Sequence, residues 1–146
     1  DHKFLRSART VNNSMPRYTV EKLLMALNEN SKSIKGSKIA LLGLAYKKNI
    51  SDLRESPSLV IKKILDEEYS ANLNIFDPHN LDLSTHKSLK DALEGVDAVI
   101  IATDHDEFTK LDINEWNSIP IIIDGKNCLN KDELLKLGVI YRGIGR

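Results

Sequence analysis

Lys38 to Leu65, KIALLGLAYKKNISDLRESPSLVIKKIL, constrains the fold more than any other stretch, because a strand, a charged loop and a capped helix follow one another without a gap. Ile39, Ala40, Leu41 and Leu42 form a continuous apolar run stopped by Gly43, the pattern of a parallel strand covered on both faces. Ser56 followed by Pro57 marks a helix start. The hydroxyl accepts from orphan N–H groups, and proline at the first helical position loses nothing by lacking one. Leu59, Val60, Ile61, Ile64 and Leu65 give this helix, which runs to about Glu68, one broad apolar face. In an open α/β sheet, ligands bind beyond the carboxyl ends of the strands. The residues expected there are Tyr46, Lys47, Lys48, Asn49, Ser51, Asp52, Arg54 and Glu55.

The alternation continues downstream. Leu73, Ile75 and Phe76 read as a second strand stopped by Asp77 and Pro78, and a helix from about Ser88 to Glu94 ends at Gly95. Ala98 to Ala102 is another buried strand, followed by the polar run Thr103 to Glu107. A helical turn from Asp112 to about Asn117, a strand at Ile121 to Ile123, a helix from Lys131 to Leu137 closed by Gly138, and a last strand at Val139 to Tyr141 complete the pattern. Strands alternating with helices predict a mostly parallel sheet with right-handed crossovers. Residues 1–34 differ: Phe4, Leu5, Ala8 and Val11, then Val20, Leu23, Leu24 and Leu27, recur at helical spacing on either side of Ser14, Met15 and Pro16. Two helices without an intervening strand are expected there, as an appendage to the α/β unit. The abrupt start at Asp1 reads as a piece of something longer.

At 146 residues the chain suffices for one compact domain with a substantial core. Its 21 basic and 21 acidic residues cancel, so no global field favours nucleic acid or an anionic membrane, and any anion site must be local. No apolar run approaches the roughly 20 residues needed to cross a bilayer, and no signal-like segment opens the chain. A single cysteine, Cys128, excludes an internal disulfide and suits a reducing cytoplasm.

The loop after the first strand is no dinucleotide fingerprint. That motif needs three glycines at G-x-G-x-x-G spacing, whereas only Gly43 stands in GLAYKK, and Asp77 lies 77 − 43 = 34 positions beyond it rather than the roughly 20 of a ribose-binding acid. Phosphates would be held by side chains instead. Lys47, Lys48 and Arg54 are three cations near a helix amino terminus whose dipole also favours an anion. The competing reading is a solvated lysine pair, with Asp52, Arg54 and Glu55 in loop salt bridges of little worth. Tyr46 either stacks on a base or sugar or packs against a neighbouring helix. Lys126, in the turn DGKN after the fourth strand, either adds a cation to the same crevice or is a turn residue. Thr103, Asp104, His105, Asp106 and Glu107 offer hard metal ligands, but no second histidine is spaced to complete a recognised motif, and no metal is expected. His2, His79 and His86 read as solvated loop or surface residues. Cys128 reads as a buried, inert thiol, and no catalytic residue stands out.

The run GLAYKKNISDLRESPS resembles the G-x-x-(F/Y)-K-x-x-x-x-D-x-R-(E)-S-P signature that opens the carboxy-terminal domain of the UDP-glucose/GDP-mannose dehydrogenase family. FDP at 76–78, AVIIATDHDEF at 98–108 and IIDGKN at 122–127 continue the match, and ARTVNNSMPRY at 8–18 and the closing YRGIGR resemble its UDP-N-acetylhexosamine branch. The resemblance implies a Rossmann-like three-layer sandwich over residues 35–146, preceded in residues 1–34 by two helices ending a central helical dimerisation domain. It also implies a parent enzyme that oxidises the C6 alcohol of a UDP-sugar to a carboxylate in two NAD-dependent steps, through a cysteine-bound thiohemiacetal and thioester. The NAD fingerprint and the cysteine motif belong to the amino-terminal part of such an enzyme, the expected partner of this chain; neither occurs in these residues, so the chain alone is not expected to turn over. Position by position, Tyr46 and Lys47 match residues lining the nucleotide-sugar site, and Arg54 matches an arginine that reaches NAD across the cleft. Lys126 stands where many members have a substrate-contacting arginine, which keeps the charge and loses the planar fork. A homodimer or larger homo-oligomer in the cytoplasm is the implied setting.

Overall fold

A computed structural model of the chain describes the backbone of residues 2–146 and the side chains of residues 14–146. Five strands, β1 (Lys38–Leu42), β2 (Asn72–Phe76), β3 (Ala98–Ile101), β4 (Ile121–Asp124) and β5 (Ile140–Gly143), form one sheet in the order β2-β1-β3-β4-β5. Every pairing is parallel: Leu41 lies opposite Ile75 and Ile100, and Asp124 lies opposite Ile101 and Gly143. This order switches direction between β1 and β3, the place where open sheets of this topology leave a crevice at their carboxyl edge.

Alternation along β1 builds three layers. Ile39 and Leu41 face a core shared with Ile61, Ile64 and Leu65 of α2 (Pro57–Tyr69) and with Val20, Leu23, Ala26 and Leu27 of α1 (His2–Glu29). Ala40 and Leu42 face the opposite core, with Ala92 of α3 (Leu89–Leu93), Phe108 of α4 (Asp106–Thr109), Trp116 of the 3-10 turn Ile113–Trp116, and Leu134 of α5 (Lys131–Lys136). Strands β1, β3 and β4 are buried on both faces, which is why they read as continuous apolar runs.

The α/β class and the parallel sheet are as the sequence predicts. The amino-terminal segment departs from expectation: a single helix, α1, replaces the two predicted, with Pro16 inside it. Proline within a helix removes a hydrogen bond and costs roughly 3 kcal/mol. The turns immediately after Pro16 supply Val20, Leu23, Ala26 and Leu27 to the core, burial large enough to outweigh one defect. Phe4 and Leu5, apolar positions in the sequence, lie outside the described side chains. Among the described residues, no helix is long and apolar enough to cross a membrane.

Candidate functional site

The chain leaves β1 at Gly43, whose φ of +92° is a conformation glycine adopts freely. A Cβ there would fall 2.4 Å from the Thr103 Cβ, so this glycine allows the exits of β1 and β3 to touch. Each backbone group from Gly43 to the Tyr46 amide then has a partner. Gly43 N–H donates to Phe76 O, and Leu44 and Ala45 N–H donate to Asp77 Oδ2 at 2.7 and 3.0 Å. The carbonyls of Gly43, Leu44 and Ala45 accept from the hydroxyls of Ser58, Ser56 and Thr103. Such complete pairing fixes the base of the loop. Ser56 caps α2 as expected, accepting from Ser58 N–H, and its own hydroxyl ties the helix start to the strand exit.

Beyond that base the loop turns outward. Tyr46 N–H closes it on Asp52 O at 2.7 Å. Its apex, Asn49, adopts φ +63°, a left-handed conformation asparagine tolerates better than most residues. Two contacts hold the apex to the β3 exit: Asn49 N–H donates to His105 Nδ1 at 2.8 Å, and Asp106 N–H donates to Asn49 Oδ1 at 3.0 Å. Tyr46 is 47% exposed, so about half of its surface remains open to solvent. Lys47 and Lys48 are exposed beside it and, among the described residues, form no ion pair. Arg54 is different. Its guanidinium forks onto Asp52, with Nη2 2.8 Å from Oδ2. The Arg54 hydrogen bond holds the Asp52 carboxyl down at about 2.

Asp77 is the hub of this arrangement. Fully buried, it accepts from Leu44, Ala45 and His79 N–H and meets His105 Nε2 at 3.1 Å. Burial pushes its carboxyl up, but the hydrogen bonds from His105, Leu44 and His79 win and hold it well below the usual carboxylate range. The sequence shows Asp77 only as a strand stop, and its role depends on partners 28 to 33 positions away. His105 is also wholly buried, and its ring lies 4.5 Å from that of His79.

His79 is therefore not the solvated loop residue expected. It is part-buried, and its Nε2, 3.4 Å from Glu107 Oε2, has no hydrogen-bond partner among the described residues. The fold supplies the second histidine that spacing does not show, and His79, His105 and Glu107 bring potential ligand atoms within 4.8 Å of one another. Yet both nitrogens of His105 are engaged, with Asn49 and with Asp77, so this trio does not present three free lone pairs to a metal. His86 sits on the Thr85 hydroxyl, and the side chain of His2 lies outside the described residues.

At the β4 exit, Asp124 accepts from Lys126, Cys128 and Leu129 N–H and from the Tyr141 hydroxyl. Lys126 is held in that turn with an exposed side chain, and among the described residues it forms no ion pair. Cys128 is part-buried against Asp124 Oδ1 at 3.5 Å. Burial and the neighbouring carboxylate push its thiol far above the ordinary range, which disfavours the reactive thiolate. Two surface grooves, of about 430 Å³ beside Leu89 and Leu111 and about 550 Å³ beside Cys128 and Arg146, include none of Tyr46, Lys47 or Lys126.

Comparison with known proteins places this arrangement. The family model described as UDP-glucose/GDP-mannose dehydrogenase family, UDP binding domain, matches residues 40–131. The chain is 38% identical to a UDP-N-acetyl-D-mannosamine dehydrogenase of Pyrococcus horikoshii, over 100% of this chain and 34% of that protein. It is 34% identical to a UDP-glucose 6-dehydrogenase of Bacillus subtilis, over 100% of this chain and 35% of that one. Among solved structures, the UDP-D-ManNAc dehydrogenase from Pyrococcus horikoshii superposes with a TM-score of 0.87 at 36% identity, covering 100% of this chain and 34% of that one. An NDP-N-acetyl-D-galactosaminuronic acid dehydrogenase from Methanosarcina mazei Go1 superposes with a TM-score of 0.84 at 29% identity, covering 95% and 31%. The chain spans about a third of the length of the curated relatives it matches.

Proposed function

The chain belongs to the UDP-glucose/GDP-mannose dehydrogenase family, and we propose that it is the UDP-sugar-binding part of an NAD-dependent UDP-N-acetyl-D-mannosamine 6-dehydrogenase. In this reading residues 35–146 hold the UDP moiety, and residues 1–34 end the helical dimerisation domain that leads into an amino-terminal partner domain of the same cytoplasmic enzyme. One observation carries it: Tyr46 and Lys47 stand exposed and unpaired on a loop whose base is fixed at the β1/β3 switch point. Lys47 meets the diphosphate as a point charge, Tyr46 lies against the sugar or base, and Lys126 approaches from the β4 exit. Arg54 turns from Asp52 toward the cofactor.

The close approach that a dinucleotide-binding glycine reserves for a pyrophosphate is taken at Gly43 by Thr103. Oxidation of the C6 alcohol to a carboxylate therefore rests on parts of the enzyme outside this chain, and so does the choice among UDP-N-acetylmannosamine, UDP-N-acetylglucosamine and UDP-glucose. With half a site, this chain binds UDP weakly.

Calorimetric or NMR titration with UDP, in parallel with NAD, tests the reading. UDP is expected to bind and NAD not, and Lys47→Ala is expected to abolish binding; no heat and no shift with millimolar UDP would remove it. A second reading, an oligomerisation module without its own ligand, is favoured by Met15, Tyr18 and Met25, which are 44%, 41% and 62% exposed at helical spacing along α1. UDP titration together with sedimentation separates the two: the first reading requires UDP binding whether or not the chain self-associates, whereas the module self-associates at micromolar concentration and binds no UDP.

A further inference from the structure

We propose that His105 is the positioning residue of the nucleotide-facing loop: its unprotonated Nδ1 holds the Asn49 amide, so the loop keeps its ligand-binding shape only while His105 is neutral and carries its proton on Nε2. The inference rests on the UDP-binding reading of that loop and adds a control element to it. Hydrogen-bond accounting carries the argument. An amide N–H only donates, so the 2.8 Å contact from Asn49 N requires a lone pair on Nδ1. Asp77 Oδ2 already accepts two amides and lies 3.1 Å from Nε2, so Nε2 bears the proton. Both ring nitrogens are thereby assigned, one as acceptor and one as donor.

The consequence follows from what Nδ1 holds. Asn49 is the loop apex, in a left-handed conformation, and its side chain accepts from Asp106 N–H. Apart from these two contacts, the apex side of the loop between Tyr46 N–H and Asp52 O carries no hydrogen bond to the β3 exit among the described residues. A proton added to Nδ1 turns the acceptor into a donor facing a donor, and the Asn49 contact breaks. The charged ring stays with Asp77, so the hub persists while the apex is released. The titratable groups facing His105 are Asp77 at the end of β2, His79 just beyond it, and Glu107 on α4. Lys48 and Lys110 act on Asp106.

Two substitutions separate positioning from mere core filling, because Asn places an oxygen near the Nδ1 position and Gln places a donor near the Nε2 position. His105→Asn keeps an acceptor for Asn49 and loses Asp77; His105→Gln keeps Asp77 and loses Asn49. Both give up ring packing and lose stability. Only His105→Gln is expected to unprotect the Asn49 amide in hydrogen exchange and to bind UDP about fivefold more weakly than His105→Asn, the equivalent of one neutral hydrogen bond. In the unsubstituted chain, nitrogen-15 spectra of the imidazole are expected to show a bare Nδ1 and a protonated Nε2. UDP affinity is expected to fall on acidification, with a component absent from His105→Asn. A protonated Nδ1 in the neutral-pH spectrum, or equal loop protection in the two variants, overturns the proposal. If the unsubstituted chain binds no UDP but the Asn49 amide follows His105 as described, positioning stands and the UDP reading alone falls.

Discussion

Asp77 and Asp124 do the same job at two exits of the sheet, and the difference between them separates the part of the site that can move from the part that cannot. Each is a fully buried carboxylate just after or at the end of a strand, and each accepts three backbone N–H groups. Asp124 gathers amides two to five residues ahead, in its own turn, and its fourth partner is the Tyr141 hydroxyl at 2.7 Å. Asp77 gathers two of its amides from the β1 exit, 32 and 33 positions away, and its fourth partner is His105. The first is a local turn fastened by a phenol. The second is a junction between three strands fastened by an imidazole, the side chain that changes charge nearest neutral pH.

Removing each carboxylate is the strongest way to break this parallel. Asp77→Ala strands the amides of Leu44 and Ala45 inside the core and leaves His105 without its acceptor, so a loss of about 3 to 5 kcal/mol in urea unfolding is expected. Asp124→Ala is expected to cost less, about 2 to 3 kcal/mol, because its amides belong to a more exposed turn that can turn them toward water. Equal losses would mean that the long-range junction adds nothing over a local turn. The same comparison extends to acid. The Asp77 carboxyl is held below its unfolded range, so its contribution is complete above that range and is lost as pH falls through it toward the folded value. Unfolding followed from pH 6 to pH 2 should show a loss for the unsubstituted chain that Asp77→Asn lacks.

The two hubs were not equally legible. Asp-Gly-Lys-Asn announces a turn, so the surroundings of Asp124 follow from four consecutive residues, as do the strands themselves, whose burial on both faces leaves apolar runs at 39–42, 98–101 and 121–123. Ser56-Pro57 likewise foretells the start of α2. The roles of Asp77, His105 and Asn49 rest on sequence separations of 28 to 57 and have no local pattern. The sequence marks the residues proposed to face a ligand, Tyr46, Lys47 and Lys126, because exposed side chains on a loop at a sheet edge are visible one residue at a time. It hides the residues that hold them still, since a buried Asp after a strand looks like punctuation. Pro16 misleads for the opposite reason: a strong local helix breaker is overruled by Val20, Leu23, Ala26 and Leu27, whose burial depends on the whole sheet.

The smallest expected effect gives the sharpest contrast. Tyr141 is buried, its hydroxyl donates to Asp124 Oδ2 and accepts from Arg146, and burial together with the carboxylate pushes the phenol's ionisation well above its ordinary range. It therefore stays protonated wherever the protein is folded, and no change of pH near neutrality alters its bond. Tyr141→Phe keeps the ring in the core, leaves Asp124 its three amides, and leaves Arg146 its bond to Leu129 O. A loss of about 1 kcal/mol is expected in urea unfolding, with UDP affinity and its pH dependence unchanged. His105→Gln, which keeps a donor for Asp77 and removes the acceptor for the Asn49 amide, is expected to alter both. Should Tyr141→Phe weaken UDP binding as His105→Gln does, the two hubs are coupled through β3, and the site responds as one rigid body rather than as a fixed turn beside a releasable loop.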